Sequence, residues 1–262
     1  MTWVLLRGLM RETRHWGDFP TQFGQLANPR EIVVLDFPGN GSLHDQSSAT
    51  SVAEMVNSLR QQLRQRCISP PYRLLALSLG AMVAVAWGDL HPQEVDRMVL
   101  INTSLAPLNP FYQRLRPRNY PALINTMIFG SLSAREKLIL RLTSKQALTT
   151  HAGQLLHDWT TYAQDCPVSR ANILRQLLAA FSYRAPASMP NVPVLLLAGA
   201  KDDLVNPQCS VSLARRWNCP LAIHPTAGHD LPLDDGLWVV QQIADWLESS
   251  SMPLSKTTAM AL

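Results

Sequence analysis

The chain has 262 residues, of which 47% are hydrophobic and 16% are charged, and its formal net charge is +4. A chain of this length can bury one sizeable core, and its composition excludes wholesale disorder. The basic residues are interspersed with acidic ones and form no lysine-rich run. Nucleic-acid binding is therefore not expected.

Residues 1–8 have neither the basic start nor the long apolar stretch of a signal peptide. No window approaches the roughly 20 apolar residues that a membrane span needs. The four cysteines lack metal-type or redox-type spacing and are expected to be free thiols. We therefore expect a cytoplasmic protein with no membrane span and no bound metal.

Strand-like and helix-like segments alternate along the first hundred residues, which predicts a parallel sheet covered by helices. A helix is predicted from about residue 51, where Ser51 and Glu54 have capping-box spacing. A second helix is predicted from residue 79 to about residue 90. The predicted strands of this part are residues 3–6, 32–36, 73–77 and 97–101.

Between about residues 105 and 188 the alternation stops, because helical patterns occur there without a convincing buried strand. Helices are predicted at residues 134–142 and 171–181, and several prolines around them indicate loops. These prolines are Pro107, Pro110, Pro117 and Pro121. The sequence thus predicts a helical insertion.

Strand patterns return at residues 192–199 and 221–223, and a last helix is predicted at residues 237–248. Residues 249–262 are rich in Ser and Thr and show no periodicity, so this tail is predicted to be disordered.

The most informative motif is Ala76-Leu77-Ser78-Leu79-Gly80, which joins the predicted strand 73–77 to a helix. A serine on such a sharp turn presents its hydroxyl openly, and the helix start directs backbone N–H groups toward the same point. Small residues are needed at both ends because strand and helix approach closely. The motif is G-x-S-x-G with Ala in the first position, and it makes Ser78 a candidate nucleophile.

A serine nucleophile needs a base and a group that orients the base. His229 follows the last short strand, and Asp202 lies in the loop after the strand that ends near residue 198. In a parallel sheet these loops open on the same edge as the Ser78 turn. The chain order Ser78, Asp202, His229 matches that of α/β-hydrolase triads. Asp203 is the adjacent alternative to Asp202.

At this point the chain resembles the α/β-hydrolase superfamily, in particular its small esterase-like members with a helical cap. The resemblance implies a core of residues 1–104 and 189–248, with residues 105–188 as the cap. It also implies an oxyanion hole from the backbone N–H groups of Leu9 and Leu79. Arg7 stands where the family usually has histidine, so the hydrogen bonds that support this loop must differ.

The resemblance and the motifs together predict a serine hydrolase that cleaves a carboxylic ester or thioester through an acyl-enzyme on Ser78, without a cofactor. The same fold and triad also serve C–C bond hydrolysis, lactone opening and acyl transfer. A ligand-binding protein of this fold that does not catalyse a reaction is the alternative outside enzymes.

The start of the insertion, residues 111–120, combines three arginines with three aromatic residues. Arg114, Arg116 and Arg118 are candidates for steering an anionic substrate, such as an acyl group on an acidic carrier. A solvated basic face above packed aromatic residues is the alternative interpretation.

Overall fold

Among the residues that the structure describes, the sheet has six strands, and all of their pairings are parallel. A computed structural model of the protein describes residues 1–27 and 31–251. The strands are β1 (Thr2–Leu6), β2 (Glu31–Leu35), β3 (Tyr72–Leu77), β4 (Val95–Ile101), β5 (Val194–Gly199) and β6 (Leu221–His224). Their spatial order is β2-β1-β3-β4-β5-β6. All six strands predicted from the sequence are present, and the predicted parallel sheet covered by helices is confirmed.

The helices are α1 (Phe19–Ala27), α2 (Val52–Gln65), α3 (Leu79–Leu90), α4 (Phe111–Arg114), α5 (Tyr120–Phe129), α6 (Leu132–Thr143), α7 (Ala152–Asp165), α8 (Arg170–Ser182), α9 (Gln208–Trp217), α10 (Leu231–Asp234) and α11 (Gly236–Ser251). The last of them corrects one expectation. Helix α11 includes residues 249–251, which were predicted to belong to a disordered tail. The rest of that predicted tail, residues 252–262, lies outside the described residues.

Successive side chains along each strand pack alternately into two apolar cores, one on each face of the sheet. Along β1, Val4 and Leu6 point into the core beneath α2 and α3, whereas Trp3 and Leu5 point into the core beneath α1 and α11. This period of two is the expected geometry of a strand buried on both faces.

Residues 105–188, which we call the helical segment, contain the five helices α4 to α8. Two prolines there were predicted to mark loops but begin helices instead. Pro117 starts a short 3-10 helix, and Pro121 lies in the first turn of α5. Proline is tolerated at these positions because the first N–H groups of a helix have no partner inside it.

Helix α8 buries two amide side chains and leaves several large apolar side chains exposed, unlike an ordinary surface helix. Its buried residues include Asn172 and Gln176, whereas Leu174, Leu177 and Phe181 are exposed. Asn172 accepts a 2.9 Å bond from the backbone N–H of Ser48. The inward face therefore attaches the helical segment to the core through hydrogen bonds, and the apolar face is left outside.

Within the part of the chain that the structure describes, no helix is both long and apolar enough to cross a membrane. The four cysteines are all free.

Substitution of Trp87 tests how much the packing of the core beneath α3 contributes to stability. Its side chain is fully buried, its indole N–H donates to Glu94 at 2.9 Å, and its ring lies edge-on to Tyr72. We expect Trp87→Ala to lower the free energy of unfolding by about 3–5 kcal/mol, because it leaves a large cavity in the core and removes the hydrogen bond to Glu94. Urea denaturation measures the change. Leu90→Ala, on the half-exposed end of the same helix, is the matched control and should change stability by at most about 0.5 kcal/mol. Equal losses in both variants would contradict the prediction.

Candidate active site

Ser78 occupies a strained turn between β3 and α3. Its backbone has φ +56° and ψ −113°, a conformation that non-glycine residues rarely adopt. Its N–H donates to the carbonyl of Ile101 at the end of β4, and its carbonyl accepts from Ala81 in the first turn of α3. These bonds hold the serine in the conformation that presents its hydroxyl at the sheet edge.

Gly80 permits this turn because α3 starts against the end of β1. A Cβ atom at position 80 would lie 2.6 Å from the carbonyl oxygens of both Leu6 and Arg7. Such a distance is far inside van der Waals contact, so any larger residue would separate the serine turn from the loop after β1. The sequence requirement for a small residue at this position is thereby explained.

His229 and Asp202 meet at the same edge of the sheet. The ring Nδ1 of His229 lies 2.7 Å from Oδ2 of Asp202, and both side chains are almost fully buried. The other carboxylate oxygen of Asp202 accepts the backbone N–H groups of Leu204 and Val205 at 2.8 and 2.9 Å. Asp202 is thus held by its own loop, and its free oxygen is left for the imidazole.

Asp203, the adjacent alternative, turns away from the histidine. Its carboxylate is partly exposed and binds Arg118 and Lys145 of the helical segment, each at 2.6 Å. These cations hold the pKa of Asp203 below its ordinary value, although burial acts in the opposite direction.

Two polar residues that the sequence analysis did not single out fix the His229 loop. Asn102, at the end of β4 with φ +46°, donates to the carbonyls of Gly228 and His229 and accepts from Gly199 N–H. Asp234 accepts the N–H of Gly228 at 2.6 Å. The sequence contains one signal for Asn102, namely a polar residue directly after a buried strand, at the edge of the sheet where Ser78 lies.

Ser78 and His229 open into one cavity of about 680 Å³. Leu9 and Leu79, the predicted oxyanion-hole residues, line it as well. Most of its wall is apolar and comes from α5, α6 and α8 of the helical segment, with Arg114 and Arg135 among the few charged groups. Burial lowers the pKa of the Arg114 guanidinium from its ordinary value. The cavity therefore suits a largely apolar molecule with a polar group near Ser78.

Arg7 stands at the position where the family resemblance implies a histidine, and it forms an ion pair with the loop that carries His229. Its guanidinium donates two parallel bonds to the carboxylate of Asp230, at 3.1 and 2.5 Å, and both side chains are buried. It also lies over the ring of Trp16, 4.8 Å from its centroid. This ion pair connects the loop that carries Leu9 to Asp230, the residue that follows His229. It is the interaction that supports this loop in the absence of the histidine.

The helical segment holds the other side of the loop after β1. Gln176 of α8 accepts the backbone N–H of Met10 at 3.0 Å and donates to Asn40 at 2.7 Å. Glu136 of α6 accepts a 2.7 Å bond from Arg11. The segment therefore reaches both residues that follow Leu9. Sequence reasoning could not find these contacts, since their partners lie more than a hundred positions apart.

Among residues 1–27 and 31–251, no group of three or more His, Cys, Asp and Glu side chains is arranged to hold a metal ion.

Substitution of Arg7 and Asp230 tests how much their buried ion pair stabilises the site. We expect Arg7→Met to lower the free energy of unfolding by about 3–5 kcal/mol, because the buried Asp230 carboxylate loses its counter-ion. The double variant Arg7→Met/Asp230→Asn should recover part of this loss in a urea-denaturation cycle. Arg118→Met, which breaks the exposed pair with Asp203, is the control and should cost less than about 1 kcal/mol. Additive losses in the cycle would show that the buried pair is not coupled.

Comparison with known proteins identifies the family of the chain. The model of the alpha/beta hydrolase family matches residues 3–242. A protein of Serratia proteamaculans named for carbamate hydrolysis is 27% identical over 256 residues, which is 94% of this chain and 90% of that protein. The bifunctional biotin-biosynthesis protein of Teredinibacter turnerae is 32% identical over 104 residues, which is 38% of this chain and only 17% of that protein.

Solved structures of the same fold include an esterase from Thermogutta terrifontis, with a TM-score of 0.74 and 17% sequence identity to this chain. The alignment covers 96% of this chain and 91% of the esterase. At this identity the likeness shows the fold alone. The match of the family model over nearly the whole length shows that the chain belongs to the alpha/beta hydrolase family.

Proposed function

We propose that this protein is a serine hydrolase that cleaves a carboxylic ester or thioester with an apolar acyl chain. The observation that carries the proposal is the 2.7 Å contact of His229 with the buried Asp202 beside a cavity that also contains the strained Ser78. The membership of the alpha/beta hydrolase family supports hydrolysis in general. The bond and the substrate class are our inference.

In the proposed mechanism, the Ser78 hydroxyl attacks the carbonyl carbon and His229 takes its proton. Because Nδ1 of His229 faces Asp202, Nε2 is the ring nitrogen left to act as the base. His229 then returns the proton to the leaving group, and an acyl-enzyme forms on Ser78. Water, activated by the same histidine, hydrolyses this intermediate.

The backbone N–H groups of Leu9 and Leu79 are proposed to stabilise the oxyanion of the tetrahedral intermediate. Leu79 is the first residue of α3, where the N–H groups of a helix have no partner inside it. Leu9 precedes Met10, whose positive φ of 59° and bond to Gln176 define the local turn. No cofactor is required for these steps.

The helical segment is proposed to act as the cap that selects the acyl group. Its apolar wall favours a hydrocarbon chain over a small polar substrate such as a free carbamate. Arg114 lines the cavity and could hold an anionic group, whereas Arg118 is engaged by Asp203. An acidic acyl carrier as the source of the substrate stays a prediction, and so does the cytoplasmic location.

The nucleophile and its partners are tested by substitution and turnover of p-nitrophenyl octanoate. Ser78→Ala and His229→Ala should each lower kcat by roughly five to six orders of magnitude, because triad members act as a unit. Asp202→Asn should lower it by roughly three to four orders. Asp203→Asn is the matched control and should act mildly, because its carboxylate contacts cations of the helical segment instead.

Labelling by a serine-reactive phosphonate separates the alternatives. Labelling of wild type but not of Ser78→Ala, without ester turnover, would point to a different scissile bond. Neither labelling nor turnover would point to a binding protein. Near-normal turnover by Ser78→Ala would refute the mechanism.

The acyl specificity is tested by narrowing the cavity. Ala180 lies on α8 and lines the cavity wall, so Ala180→Phe should occupy part of the space for the chain. We expect the ratio of kcat/KM for p-nitrophenyl octanoate to that for the acetate to fall on the order of tenfold. Ala171→Phe, at an exposed position of the same helix, is the control. An unchanged ratio in Ala180→Phe would remove the helical segment from substrate selection.

A further inference from the structure

The mouth of the cavity is formed by large apolar side chains that are also exposed to solvent. Six residues both line the cavity and are between 41% and 73% exposed. We call them the apolar rim: Phe111 of α4, Ile124 and Ile128 of α5, and Leu174, Leu177 and Phe181 of α8. A contiguous exposed apolar patch around a pocket mouth marks an interaction surface rather than ordinary surface.

Helix α8 is built to keep this face outward. Asn172 and Gln176 on its other side are bound into the core through Ser48, Asn40 and the backbone of Met10. Rotating α8 to bury Leu174 and Phe181 would break these buried hydrogen bonds, and each unsatisfied group would be costly. The exposure of the rim is therefore a stable property of the fold.

The charge around the rim has one sign. The helices α4, α5 and α8 contain no acidic residue. Helix α8 carries Arg170 and Arg175, whereas Arg114 of α4 is partly buried and donates to the carbonyl of Ala180. The whole helical segment contains ten Arg and Lys residues against three Asp and Glu residues, although the net charge of the chain is only +4. Of those three acidic residues, Glu136 is buried against Arg11 and Asp165 binds Arg14.

We propose that the apolar rim and its arginines dock the protein onto an anionic lipid surface, with the cavity mouth facing the lipid. Exposed Phe, Leu and Ile side chains beside arginines are the composition that inserts into the boundary between headgroups and acyl chains. Anionic headgroups would complement the arginines. The docking surface does not depend on the reaction proposed above, although it would deliver apolar substrates directly to the cavity.

The same observations disfavour a second copy of the chain as the occupant. A two-fold dimer through this face would place the arginine-bearing helices of one copy against those of the other. With no acidic residue on α4, α5 or α8, these charges would repel one another at close range. An acidic partner protein would satisfy the charges, and the experiment includes it as an outcome.

The experiment is co-sedimentation with vesicles, carried out on the full chain carrying Ser78→Ala so that turnover does not alter the lipid. We expect binding to vesicles of phosphatidylcholine with phosphatidylglycerol, and much weaker binding to phosphatidylcholine alone. Leu174→Ser/Phe181→Ser should lower the partition coefficient roughly tenfold or more, because two apolar side chains no longer insert. Arg170→Gln should lower it about fivefold, and added salt should weaken binding.

Leu237→Ser is the matched control, since Leu237 is 57% exposed but lies on α11 outside the helical segment. Its binding should equal that of the parent. Thermal unfolding establishes that all variants are folded. Equal binding by the rim variant and the parent, or no binding to any vesicle, would overturn the proposal.

Two further outcomes identify a different occupant and would also overturn it. One is a dimer that the rim variant abolishes without lipid, and the other is rim-dependent binding of an acidic carrier protein in place of vesicles. Vesicle binding by a protein whose wild-type form turns over no ester would refute the proposed reaction alone. Ester turnover without vesicle binding would refute the docking alone.

Discussion

The close approach between the start of α3 and the end of β1 is the constraint on which the site depends. Because Gly80 packs against the carbonyl oxygens of Leu6 and Arg7, the serine turn and the loop after β1 become one unit. The parallel pairing of β1 with β3 brings both chain segments to the same edge. The strained backbone of Ser78 is tolerated because its neighbours on β4 and α3 satisfy its N–H and carbonyl groups.

Around this unit, buried polar side chains connect loops that are distant in the sequence. Asn102 joins the ends of β4 and β5 to the His229 loop, and the Arg7–Asp230 pair joins that loop to the one after β1. Buried polar groups of this kind are costly unless every partner is present, so they specify one arrangement of the loops. The positions of the proposed catalytic groups are therefore set by a network rather than by single loops.

The helical segment contributes to the same network and also forms the cavity wall. Gln176 and Glu136 reach the loop after β1, and the apolar side chains of the same helices surround the cavity. Burial of His15, together with the nearby positive charges of Arg11 and Arg7, lowers the pKa of its imidazole well below its ordinary value. Nε2 of His15 lies 2.7 Å from a guanidinium nitrogen of Arg11, which can only donate, so the imidazole accepts this bond. The same guanidinium pairs with Glu136 of the helical segment.

The sequence by itself determined the six parallel strands and the order of Ser78, Asp202 and His229, because short apolar runs and turn signals are local features. Periodicity alone could not separate a loop proline from one in a first helical turn, as Pro121 shows. Only the tertiary structure decided that Arg7 binds Asp230, 223 positions away, and that α8 turns its apolar face outward. Such choices depend on which distant polar groups meet when the chain folds, and no local pattern records them.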